Sequence, residues 1–133
     1  MKAELLRVCD LEPADGAWIA AHLCRPGSEM QSEFYQRLAE TPVVVISNEV
    51  PVAWVATHEW HDHQTLEAFT HPEWRRRGLA RAGALMLMSV SYLDRDEPVA
   101  VFSTDCVPLT RSLGFVETLL YRRDAHGWSL TFG

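Results

Sequence analysis

A chain of 133 residues that is 47% hydrophobic and 23% charged can form one domain with one core and is too apolar to remain disordered. Its formal net charge of −6 works against non-specific nucleic-acid binding and is compatible with a cationic partner. The apolar runs are too short to cross a bilayer, and residues 1–7 carry no apolar signal region, so the expectation is a single cytoplasmic domain over 1–133.

Taken in order, residues 5–11 predict a first strand. Pro13 and Asp15 open a helix, since proline fits a first turn and an acidic residue suits its positive end; the alanine-rich run 14–24 continues it until Arg25-Pro26-Gly27. Ser28 resembles an N-cap, and Met30, Phe34, Tyr35 and Leu38 form a helical stripe reaching residue 40. Pro42 then opens the β-branched run Val43-Val44-Val45-Ile46, a buried strand, and a turn at 47–49 returns the chain through a second strand over 51–60. After His61-Asp62-His63, residues 64–70 form a third. Residues 79–91 are helical and apolar nearly all round, which predicts cover on most sides. A polar loop at 94–98 leads to a buried strand at 99–103, a short helix over 105–113 ended by Gly114, an alternating strand at 115–123 and an edge strand or tail at 127–132. This order describes an α/β domain with a mixed, largely antiparallel sheet. The crossover through the central helix makes 66–70 and 99–103 parallel neighbours or near neighbours, and ligands favour the carboxyl ends of such strands.

One junction stands out, Thr70-His71-Pro72-Glu73-Trp74-Arg75-Arg76-Arg77-Gly78-Leu79-Ala80-Arg81. N–H groups in a first helical turn lack intrahelical partners and lie at the positive end of the macrodipole, so the segment reads as an anion site, most simply for a phosphate. Gly78 permits close backbone approach and positive φ, Ala80 keeps side chain out of the way, and Arg75, Arg76, Arg77 and Arg81 add positive potential. A solvated arginine face is the competing reading.

Residues 70–80 resemble the acyl-CoA segment of the GCN5-related N-acetyltransferases, Gln/Arg-x-x-Gly-x-Gly/Ala, with Arg75, Gly78 and Ala80 in its fixed positions. Val107-Pro108-Leu109-Thr110-Arg111-Ser112-Leu113-Gly114-Phe115 resembles the late Pro-Leu-Tyr-x-x-Leu-Gly-Phe motif of that family. The resemblance implies the GNAT fold, a mixed, mostly antiparallel sheet of six to seven strands flanked by about four helices. It implies an N-acetyltransferase that moves an acetyl group from acetyl-CoA to a primary amine by direct attack in a ternary complex, without a metal. The acceptor is a small molecule, peptide or other macromolecule. The backbone of Ala68, Phe69 and Thr70 would meet the acyl carbonyl and pantetheine arm. N–H groups from Arg76 through Arg77, Gly78, Leu79 and Ala80 to Arg81 would hold the pyrophosphate. Met30, Phe34, Tyr35 and Trp74 are the candidates for an acceptor wall, and the carboxyl-terminal strand and exposed hairpin are common dimer surfaces in this fold.

Acyl transfer to an amine needs a base, and an acid helps the thiol depart. Glu67 leads as the base because it lies beside the proposed acyl site; Glu59, His58, His61 and His63 follow. The plain alternative is that Glu67 faces solvent. His58-x-x-His61-x-His63 lacks a fourth ligand and predicts no metal. The family's tyrosine acid is replaced by Thr110, a much weaker acid that is either the donor or a residue that merely faces solvent or packs. A catalytically weak acyl-CoA-binding module is therefore the second reading. Cys9, Cys24 and Cys106 have no paired spacing and read as reduced thiols, with Cys106 as small core filler.

Overall fold

The computed structural model describes residues 1–22, 41–60, 62–124 and 127–132. The helix expected over 28–40, with Met30, Phe34, Tyr35 and Leu38, lies outside the described residues, as do Cys24 and His61. The elements are β1 (Lys2–Arg7), α1 (Pro13–His22), β2 (Pro42–Asn48), β3 (Val50–Ala56), β4 (Glu59–Trp60), β5 (His63–Thr65), β6 (Glu67–Thr70), α2 (Leu79–Ser89), β7 (Val99–Val101), α3 (Cys106–Ser112), β8 (Thr118–Asp124) and β9 (Gly127–Phe132). Among the described residues no helix is long and apolar enough to cross a membrane.

Two sheets carry these strands, β1-β2-β3-β6 and β4-β5-β7-β8-β9. The first is antiparallel throughout, and the second contains the parallel run β5-β7-β8 between antiparallel edges. Each of the sequence's two long strands, 51–60 and 64–70, is divided between the sheets. Counted as single strands they bring the total among the described residues to seven, as the resemblance implies. The expected parallel partnership is met by β5 and β7, through Gln64↔Val99 and Thr65↔Ala100, and not by β6.

Three expectations need correction. The first strand runs over Lys2–Arg7 rather than 5–11, because its register follows β2 from Ser47 to Pro42 and ends where that partner ends. The last alternating strand starts at Thr118 rather than 115: the N–H of Phe115 goes to Thr110 O and that of Val116 to Arg95 O, so neither enters the ladder. Finally, α2 is not covered on most sides. Gly83, Ala84 and Leu87 face the sheet, whereas Leu85 is 37% exposed and Val90, just past its end, 48%. Apolar composition alone cannot tell one packed face from several when only one sheet surface is offered.

Side-chain alternation divides the core into two layers. Val44, Ile46, Val52, Val55, Leu66, Val99 and Val101 pack beneath α2 and α3. Val43, Val45, Trp54 and Ala56 face the other way, onto Ile19 and Trp18 of α1. Helix α2 seats closely on the first layer: a Cβ added to Gly83 would lie 2.6 Å from Val55 Cγ2. Glycine here allows a helix–sheet approach that alanine would prevent.

Candidate active site

The site is organised by the place where the two sheets part. Leu66 N–H donates to Ala100 O at 3.0 Å. Beyond it β6 pairs with β3, while β7 pairs with β8, and a wedge opens between β6 and β7. Hydrogen-bond parity fixes which main-chain groups line it. His71 N–H donates to Val52 O at 2.9 Å, so residues 67, 69 and 71 turn their main-chain groups toward β3. Residues 66, 68 and 70 therefore turn theirs into the wedge. Ala68 presents its N–H beside the Cys106 thiol, and Thr70 presents a carbonyl that accepts Arg75 Nε at 2.9 Å.

The loop after β6 shapes the adjoining helix start. Pro72–Trp74 forms a 3₁₀ turn, Arg76 adopts φ 63° and Gly78, the N-cap of α2, adopts φ 74°, ψ 18°. Ala82 N–H reaches back to Gly78 O at 3.0 Å, so the N–H groups of Leu79, Ala80 and Arg81 precede the first intrahelical bond. No side chain caps this end and no acidic residue occupies its first turn. It is an electropositive terminus without an internal counter-anion. The four arginines divide into two roles. Arg75 braces Thr70 and lies 5.7 Å from the Phe69 ring centroid; Arg77 donates to Glu73 O at 3.3 Å and stacks 4.5 Å over Trp74. Arg76 and Arg81 extend exposed beside the helix start.

Glu67 lies on the face opposite Leu66 and Ala68, as alternation predicts, and is buried rather than solvent-facing. Aromatic rings surround this face. Trp18 stacks on His71 at 5.1 Å and meets Phe69 edge-on at 6.0 Å. Phe102 stacks on Tyr121 at 5.3 Å and on His58 at 6.2 Å, and the His58 ring is held by Thr65 Oγ1 at 2.8 Å from Nδ1. Sequence reasoning missed Trp18, His71 and Phe102. The alternation Glu67, Phe69, His71 could have found the histidine, whereas nothing in the sequence separates Trp18 from a core tryptophan. Trp74, Leu79 and Ala80 pack toward the α2 layer, so the structure does not bring Trp74 to the face that holds Glu67. Glu59 is exposed at β4, His63 is half-buried at β5 and Tyr92 is exposed beyond α2.

Thr110 is fully buried in α3, and its hydroxyl lies 2.7 Å from Thr118 Oγ1 and 3.0 Å from Val107 O. Cys106, at the start of the same helix, is a buried free thiol. Burial pushes its pKa up to about 11, with the Glu67 carboxylate acting in the same direction, so it is a neutral thiol and a poor nucleophile near neutrality. Burial likewise raises the Tyr121 phenol above its usual value.

No protein-family model matches the chain, and no curated protein matches it in sequence. Solved structures do resemble it. A GCN5-related N-acetyltransferase from Ralstonia eutropha JMP134 superposes with a TM-score of 0.52 at 13% identity, covering 85% of this chain and 90% of that one. An aminoglycoside N-acetyltransferase in complex with CoA gives 0.52 at 17% identity, with 88% of each chain covered. A ribosomal-protein-alanine N-acetyltransferase from Brucella melitensis biovar Abortus 2308 gives 0.50 at 13%, covering 84% and 86%. With the parted strands and the glycine-led helix start in the same molecule, the chain has the fold of the GCN5-related N-acetyltransferases.

Proposed function

We propose that this protein is an acyl-CoA-dependent N-acetyltransferase that moves the acetyl group of acetyl-CoA to a primary amine by direct attack in a ternary complex. The observation that carries the reading is the wedge at Leu66, which opens beside an uncapped helix start. The residues fit the co-substrate chemically: wedge-facing main chain at Ala68 and Thr70 suits an amide-rich arm, and the N–H groups of residues 79–81, with Arg76 and Arg81, suit a pyrophosphate. The CoA complex of the aminoglycoside enzyme supports the same choice.

On this reading the Ala68 N–H donates to the thioester carbonyl, where negative charge grows during attack. Glu67, itself buried, receives the proton of the amine, directly or through a water. Thr110 would have to turn away from Thr118 to serve as an acid. A CoA thiol has an acidity close to that of cysteine, with a pKa of roughly 8.5, so departure needs little help from it. The amine is a small molecule, peptide or other macromolecule. A cytoplasmic setting is supported by the free thiols of Cys9 and Cys106.

The engaged Thr110 hydroxyl favours a second reading, an acyl-CoA-binding module with weak transfer. Calorimetric titration with CoA and acetyl-CoA, followed by free-thiol release with a panel of primary amines, separates the two. Binding with turnover supports the enzyme, binding without turnover on any amine supports the module, and no binding at millimolar CoA ends both.

Two variants probe individual parts. Gly78→Val is expected to weaken CoA binding by about 10-fold, since a non-glycine residue at φ 74° is strained by about 1–2 kcal/mol and narrows the approach to the helix start. Arg76→Ala is expected to cost only about 2- to 3-fold, as an exposed charge contributes little. The reverse order in the same titrations would make side-chain charge, not loop shape, the main determinant. Thr110→Val removes the partner of a buried hydroxyl and is expected to lower unfolding free energy by about 1–2 kcal/mol, with turnover kept within about 3-fold. A loss of about 100-fold with CoA binding intact would instead identify Thr110 as the acid.

A further inference from the structure

The first turn of α3 closes the wedge from the side opposite Glu67. Cys106 is 7% exposed and packs in the layer that contains Leu66 and Val101, with Ala68 against it. Its thiol lies beside the Ala68 N–H and near the Glu67 carboxylate. The position has structural weight because Ala68 has its main chain turned away from β3, and no strand of the described residues pairs with β6 on that side. The amide of this half-buried residue is left to a weak acceptor, the sulfur. A carbonyl oxygen taking that donor would have its acyl tail running against the same sulfur.

We propose that Cys106 determines acyl-chain length: its thiol fills the end of the wedge beside the Ala68 N–H, leaving room for an acetyl group and excluding longer chains. This rests on the acyl-CoA reading of the wedge. The thiol acts by its volume and remains protonated; no bond to it forms or breaks. A serine at 106 preserves most of that volume, alanine opens the space and valine reduces it. Pocket walls of this kind discriminate single methylenes by about 10-fold or more.

The test is calorimetric titration of the full chain with free CoA, acetyl-CoA, propionyl-CoA and butyryl-CoA. Wild type is expected to lose at least about 10-fold in affinity from acetyl to butyryl. Cys106→Ala is expected to bring the series within about 3-fold by tightening butyryl-CoA, and Cys106→Ser to keep the wild-type profile. Cys106→Val is expected to weaken acetyl-CoA by about 10-fold and leave free CoA within about 3-fold. Should Cys106→Ala lose its fold, the serine and valine variants still decide, because valine weakening free CoA and acetyl-CoA equally would overturn the proposal. An unchanged length profile in Cys106→Ala, or a wild type that binds butyryl-CoA as tightly as acetyl-CoA, would also overturn it with the acyl-CoA reading intact. Failure of wild type to bind free CoA would instead remove the acyl-CoA reading.

Discussion

Glu67→Gln is expected to lower turnover by about 100- to 10,000-fold while leaving acetyl-CoA affinity within about 3-fold. The substitution keeps the shape of a side chain that is 7% exposed, so packing against β3 survives, and it removes only the ability to take a proton. The expectation follows from position. Glu67 stands one residue from the amide proposed to hold the thioester carbonyl, yet projects to the other face of β6, where Trp18, Phe69 and His71 gather. On the proposed mechanism, main-chain contact with one substrate and side-chain contact with the other would come from adjacent residues of one strand, which is what proximity catalysis requires. Thiol-release kinetics alongside CoA titration are the measurements. Turnover within about 3-fold of wild type would remove Glu67 from the mechanism and turn attention to His58 and His71, the histidines described around that face.

The second large effect concerns stability. Gly83→Leu is expected to prevent stable folding, and Gly83→Ala to lower unfolding free energy by about 1–2 kcal/mol. An alanine in mid-helix would ordinarily add about 1 kcal/mol over glycine. Here its Cβ would meet Val55 Cγ2 at 2.6 Å and Val55 Cβ at 3.1 Å, both on a fully buried strand residue that has nowhere to move. Steric overlap wins because α2 is packed onto the same layer at Ala80 before Gly83 and at Ala84 and Leu87 after it. Denaturant unfolding of Gly83→Ala, Val55→Ala and the double variant checks the cause. Coupling of about 1 kcal/mol or more in the rescuing direction is the expected result, and strict additivity would show that the contact is not the source of the loss.

Much of the fold was legible because it depends on local periodicity. The β-branched run at 43–46, the alternation through 64–70 and the proline-led start of α1 each dictate their element without reference to a partner. The wedge was not legible in the same way. Leu66 is an ordinary core leucine, and the change of sheet there arises from which strand lies beside each half of the run, a non-local matter. The arginine loop was legible as a site but not as a division of labour: only three-dimensional placement shows Arg75 holding Thr70 O and Arg77 stacked on Trp74, with Arg76 and Arg81 left outward. Thr110 shows a further limit. Its alignment with a motif tyrosine raises the acid role, whereas its bond to Thr118 depends on how α3 lies on β8. No pattern in the sequence carries that second fact.

The parting of the strands at Leu66 also bears on rigidity. Two sheets joined there only by the neighbouring crossings at residues 57–58 and at Leu66 resemble a hinge with one leaf missing, and a ligand whose amide arm lies along Ala68 and Thr70 would act as that leaf. Occupancy and mechanical stiffness would then be coupled: at a ligand concentration 100 times the dissociation constant, the folded state gains about 2.7 kcal/mol. The slowing of amide exchange would be greatest at Ala68, whose N–H has no ladder of its own to hold it.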